Sequence, residues 1–172
     1  MRAILLIFVA ALVIFTCGQP AAASPWGTDC AARASQVSIR PSGRRDADFD
    51  GKMLPYGVFV LSNGSGKSIA VLADIYKQKY WMVHPNYLSL QRKEGDSWKD
   101  VVWTLSEYAG PDKKVVVPRG EEWQFFYALD ELVSSGVGRT QEFRLVLRDV
   151  NNCKIPSDSF TLESLGKLEA EK

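Results

Sequence analysis

Between Tyr56 and Leu72 the chain reads YGVFVLSNGSGKSIAVL, and no other stretch limits the fold as much. Two apolar runs, residues 57–61 and 69–72, flank a polar segment, residues 62–68. The runs are rich in Val, Ile and Phe, side chains that suit a pleated, half-buried surface. The polar segment contains Asn63-Gly64-Ser65-Gly66, whose glycines can take the positive φ of a tight reversal. The pattern predicts two strands of a β-domain.

The rest of the chain supplies strands to place beside or across from these two. Residues 35–40 alternate polar and apolar, which turns Val37 and Ile39 inward. Pro41-Ser42-Gly43 ends that strand, and residues 44–55 read as a polar loop. Residues 87–91 and 98–105 read as a hairpin around a turn at residues 93–97. Short strands follow at 115–117 and 123–129, then a helical turn or loop at 130–135. Residues 142–150, EFRLVLRDV, have the clearest period of two. Phe143, Leu145 and Leu147 share one face, and Arg144, Val146 and Arg148 the other, as expected of a strand buried on one side. Residues 159–162 make a short last strand, and the charged end from 164 is expected to fray. There is no internal repeat and no long helical pattern, so the prediction is a single all-β domain, a sandwich or a barrel.

The N-terminus reads as an export signal. Arg2 gives the positive start and residues 3–15 the apolar stretch, too short for a permanent membrane helix. Ala21-Ala22-Ala23 offers a small-residue cleavage site, placing the mature start near Ser24. Cys17 raises lipoprotein anchoring as the alternative. The bulky Ile14-Phe15-Thr16 before it argue for ordinary cleavage and a periplasmic or secreted protein. Removing the signal takes away Arg2 and no acid, so the formal net charge falls from +1 to 0. A neutral chain has no electrostatic footprint for nucleic acid or an anionic membrane surface. The remaining length, about 150 residues, fits one core, and nothing else is apolar enough to span a membrane.

Cleavage discards Cys17 and leaves Cys30 and Cys153. In an oxidising compartment such a pair is expected to form a disulfide. It would tie the segment before the first strand to the turn after residue 150.

Several motifs match a known type of domain. An apolar strand ends in an Asn-containing turn (Val60-Leu61-Ser62-Asn63) and is followed by Ser68-Ile69-Ala70-Val71. A hairpin strand runs through a tryptophan (Gly95-Asp96-Ser97-Trp98-Lys99-Asp100-Val101), and a Val117-Pro118-Arg119-Gly120 turn comes next. The aromatic strand 123–129 and the strand 143–147 complete the series. On these motifs the segment from Val58 to Val150 resembles bacterial immunoglobulin-like domains of the envelope and secreted type. The resemblance implies an immunoglobulin-like β-sandwich over residues 35–163, after a signal peptide (1–23) and a leader (24–34) and before a charged tail (164–172). It lacks the antibody-type pair of cysteines around a core tryptophan, and it implies no activity, because this architecture hosts many.

Three groups of residues were candidates for a site. Asp46, Asp48 and Asp50 precede Gly51 with the alternating spacing of a calcium loop. However, Gly57 stands where the bidentate glutamate of such a loop belongs, Pro55 interrupts it, and Arg44 and Arg45 can pair with the acids. A solvated acidic turn without metal is therefore the expectation. Tyr76, Tyr80, Trp81 and Tyr87, interleaved with Lys77 and Lys79, could form a stacking face for sugars or a hot spot for a protein. Against that stands an ordinary role in the core. His84, the only histidine, precedes Pro85 and has no second histidine or free cysteine to form a zinc or Cys-His site. There is no G-x-S-x-G turn. With no catalytic set and no cofactor motif, the expected function is a non-enzymatic binding module of the cell envelope with a protein partner. Recognition of cell-wall glycan through the aromatic face, or inhibition of a secreted hydrolase, is the alternative.

Overall fold

The two apolar runs between Tyr56 and Leu72 are strands, but they do not pair with each other. In the computed structural model, which describes residues 28–49, 51–77, 79–101, 113–134, 136 and 138–166, two other strands separate them. The elements in chain order are a helix α1 (Thr28–Ala34), β1 (Val37–Phe49), β2 (Lys52–Asn63), β3 (Ile69–Tyr76) and β4 (Tyr80–Val83). A 3-10 turn (Pro85–Tyr87) leads to β5 (Leu88–Glu94), β6 (Ser97–Asp100), β7 (Lys113–Val117) and β8 (Glu122–Ala128). A short helix α2 (Asp130–Ser134), β9 (Phe143–Arg148) and β10 (Lys154–Pro156) complete the chain. The protein is all-β, built on two sheets.

The larger sheet has the order β1-β2-β8-β4-β3-β7 and the smaller β10-β9-β5-β6. Neighbouring strands are antiparallel except β4 and β8, which meet in parallel at Met82 and Phe126. Antiparallel strands with one face packed and one free should alternate, and β9 largely does. Phe143, Leu145 and Leu147 are buried against the other sheet, as the period of two predicts, though Val146 on the opposite face is buried as well. The core between the sheets draws Ile39, Phe59, Leu61, Val71 and Phe125 from the larger sheet and Leu90, Phe143, Leu145, Leu147 and Ile155 from the smaller. Phe125, Phe59, Phe160 and Phe143 form a chain of ring contacts through it, with centroids 5.2–6.1 Å apart.

The segment between β2 and β3 is a crossover, held by one side chain. Asn63 is buried; its Nδ2 donates to the carbonyls of Lys67, Val117 and Pro118, and its Oδ1 accepts from the backbone and hydroxyl of Ser65. A buried amide with every bond made fixes its surroundings far better than a solvated turn would.

Five local expectations need correction. The leader holds a helix, α1, because Cys30 and Arg33 anchor it to the β9–β10 turn. The supposed polar loop 44–55 is a continuous hairpin: β1 runs to Phe49 and β2 starts at Lys52. Pro41 does not end β1, since it lies at a register shift on an edge strand, where a missing N–H is tolerated. Finally, the last strand is β10 rather than 159–162, where Phe160 makes only an isolated bridge to Phe143. The tail starts later than residue 164: Leu165 is buried, and the Gly166 carbonyl accepts from Arg44 N–H at 2.8 Å. The signal sequence, Cys17, Asp50, residues 102–105 and the end from residue 167 lie outside the described residues.

Candidate functional site

The larger sheet is apolar on its outer face as well, and the central residues of that face are buried. Opposed residues of an antiparallel pair share a face, so the register sorts the side chains. Ile39, Leu61, Phe59 and Phe125 point to the core, while Ala47, Leu54, Tyr56, Val58, Phe126 and Ala128 point out. Met82 joins the outer set opposite Phe126, and Tyr80 opposite Tyr76. Tyr56, Val58, Phe126 and Ala47 are buried there, forming a second apolar cluster that includes Leu54, Tyr80, Met82 and Ala128. Tyr80 meets Phe126 edge-to-face at 5.0 Å, a favoured ring geometry.

The sheet divides the four predicted aromatic residues. Tyr76 and Tyr80 stand on the outer face. Trp81, one residue on, points inward and packs on the main core with its ring 6.4 Å from that of Trp123. Tyr87 also packs on the main core, 6.0 Å from the His84 ring. A stacking platform of all four therefore does not form, because neighbours along a strand face opposite ways. What remains is a narrow, largely closed crevice lined by Ala47, Asp48, Tyr56, Tyr76, Tyr80 and Met82, too narrow to hold water. It has no room for a small-molecule ligand.

Charges frame this surface. Lys77 Nζ lies 3.2 Å from Asp48 and 5.5 Å from the Tyr76 ring centre, and Lys79 lies 5.7 Å from the Tyr80 ring centre. The hydrogen bond from Lys77, together with one from Gly51 N–H, holds the Asp48 carboxyl below its ordinary value. Asp46 and Asp48 lie on a strand, opposite Pro55 and Met53, and Asp48 is engaged by a cation. Among the described residues no group of three or more His, Cys, Asp or Glu is arranged to hold a metal. His84 is buried and its Nδ1 accepts from Asn86 N–H, capping the 3-10 turn.

Sequence reasoning missed Ala47, Leu54, Tyr56, Val58, Met82 and Phe126 as a group. A signal for part of it exists: residues 56–61 are apolar or glycine throughout, the mark of a strand buried on both faces. The predicted cysteine pair is joined. Cys30 and Cys153 form a disulfide across 123 residues, with Cα atoms 5.1 Å apart.

Together these features define a disulfide-stapled, two-sheet β-protein with an aromatic outer face. Comparison with protein-family models and with curated proteins gives no match. Among solved structures, the chain is similar to the X-ray structure of Northeast Structural Genomics Consortium target SoR45 at 8% identity and a TM-score of 0.37, over 80% of this chain and 93% of that one.

Proposed function

We propose that this chain is an exported, non-enzymatic binding module that holds a protein partner on the outer face of its larger sheet. The observation that carries this reading is the second apolar cluster, spread over four strands on the side away from the core. Ala47, Tyr56, Val58 and Phe126 are already buried, so the part open to a partner is the half-buried fringe of Leu54, Tyr80, Met82 and Ala128, and an accessible apolar fringe of this kind suits a docking surface. Its half-buried rim of Tyr80 and Met82 supplies large, adaptable contacts of the kind that dominate interfaces. The partner it fits presents apolar side chains and a carboxylate facing Lys79.

The Cys30–Cys153 disulfide supports export to an oxidising compartment. Among the described residues no helix is long and apolar enough to cross a membrane. We read the two-sheet arrangement as a variant of the immunoglobulin-like sandwich, with a disulfide that joins a helix to a turn instead of bridging the sheets.

A photo-crosslinking side chain placed at position 80 in producing cells tests the reading. A discrete protein adduct at position 80, absent with the crosslinker at Lys113 on the far strand, is the expected outcome. Equal labelling at both positions would reject the face. Intact mass of the exported protein tests the compartment, with a chain starting near Ser24 expected.

A further inference from the structure

The outer face of the smaller sheet carries a different arrangement, independent of the docking face. Its register places Trp98, Lys93 and Glu142 in one row, closed by a Lys93–Glu142 ion pair of 2.5 Å. The next row is Asp100, Gln91 and Arg144. Both rows face away from the core, since the residues that alternate with them along β5 and β9, Leu90, Phe143 and Leu145, are buried inward.

Arg144 is held from two sides. Its guanidinium carbon stands 4.5 Å from the centre of the Trp98 ring, and its Nε donates to Gln91 Oε1 at 2.7 Å. Gln91 in turn donates to Asp100 at 2.9 Å, so that carboxylate is used by an amide. The two terminal amino groups of Arg144 have no hydrogen-bond partner among the described residues. A planar fork fixed by stacking, with both of its ends open, matches a carboxylate bidentately. Burial against the sheet pushes the guanidinium pKa down, which marks partial desolvation and strengthens any charge contact made there.

The neighbouring row, Lys93 and Glu142, lines an open groove of about 340 Å³ together with Gly95, Gly138, Thr140 and Gln141. Glu142 and Arg144 start about 7 Å apart along one strand face, and the Arg144 side chain extends from there across β5 to Trp98. The groove is polar. Gln141 Nε2 is spent on the carbonyls of Lys93 and Glu142, which leaves its Oε1 to accept, beside the Thr140 hydroxyl. Two cations, Arg144 and Lys93, stand with two carboxylates, Asp100 and Glu142, so the local charge is balanced. A single negative charge suits that balance better than a phosphate dianion.

We propose that Arg144 and the adjoining groove form a binding site for an acidic sugar, a pyranose ring whose carboxylate meets the Arg144 fork and whose hydroxyls meet Thr140, Gln141 and Glu142. Trp98 and Gln91 are positioning residues for the fork.

The test is titration of the disulfide-intact exported protein, followed by calorimetry and by the indole N–H resonance of Trp98. The probes are D-glucuronate, D-glucose, acetate and inorganic phosphate. Glucuronate should bind saturably and move the Trp98 signal, with glucose and acetate each at least about tenfold weaker. Arg144→Lys, which keeps the charge and loses the fork, should weaken glucuronate by about tenfold or more. Gln141→Ala should weaken it severalfold and serves as a second variant should Arg144→Lys fail to fold. Tyr80→Ala should leave it unchanged, which separates this site from the docking face. Acetate or phosphate binding as tightly as glucuronate would overturn the proposal, as would Arg144→Lys binding like the wild type. So would the absence of saturable binding up to about 20 mM glucuronate.

Discussion

Asn63 concentrates at one residue what the fold demands of a crossover. Its amide nitrogen serves three carbonyls, two of them 54 and 55 residues away in the turn between β7 and β8. Replacing it with alanine removes five hydrogen bonds and strands the buried Val117 carbonyl, and an unmet buried group costs more than a made bond is worth. Asn63→Ala should destabilise the protein by about 2–4 kcal/mol, read from denaturant melts. A loss below about 0.5 kcal/mol would mean that water takes over the bracket. Leu145 tests the core in the same way. It is fully buried between the sheets, and Leu145→Ala should cost about 2–5 kcal/mol. The two residues differ in legibility. Leu145 could be read from the period of its own strand, which needs only its neighbours. Asn63 could be read as a turn residue, but its acceptors belong to another part of the chain and no local pattern names them.

At the scale of elements, the β1–β2 hairpin is where local reading failed most. Residues 44–48 are Arg-Arg-Asp-Ala-Asp, which reads as a solvated loop, and Pro41 and Pro55 appear to confirm it. The charged residues and Pro41 sit in a strand because β1 is an edge strand with water along much of one side, so charge there costs little. Ala47 was the clue: it is buried on the outer cluster opposite Leu54. The aromatic segment failed for the related reason that adjacent residues of a strand part company, sending Tyr80 outward and Trp81 inward. The end of the hairpin is tied to the β3–β4 turn by Asp48 and Lys77. Because the folded Asp48 value lies below the ordinary 3.8, this tie is fully present above that pH and is lost as pH falls through the lower folded value. Its carboxyl carbon should titrate by NMR with a midpoint below 3.8, and Lys77→Met should return the midpoint towards 3.8. A midpoint unchanged by Lys77→Met would assign the shift to the Gly51 N–H instead. Calorimetry with millimolar calcium should give no isotherm, since Asp48, the middle carboxylate of such a site, is already engaged by Lys77.

The whole molecule is closed at one junction, where α1 meets the β9–β10 turn. The disulfide could be read from the sequence because the expected export and cleavage would leave one pairing. The second tie could not, because nothing in the sequence links residues 116 apart: Arg33 Nη1 lies 2.5 Å from Asp149 Oδ2, and Asp149 is fully buried. Asp149 also accepts from the N–H groups of Asn151 and Cys153, so the carboxylate shapes the turn that carries the cysteine. The two ties therefore act on one unit. Replacing both cysteines with serine should cost about 2–5 kcal/mol, the usual range for a native disulfide. Arg33→Met leaves a buried carboxylate without its cation and should cost about 3 kcal/mol, the low end for a broken buried pair, because two backbone donors remain. With both changes, the helix has nothing left to lose at this junction, so the combined loss should fall short of the sum by about 0.5–3 kcal/mol. Denaturant melts of the four proteins close the cycle. If the losses add within about 0.3 kcal/mol, the disulfide and the ion pair are independent staples, and α1 docks through contacts other than these two.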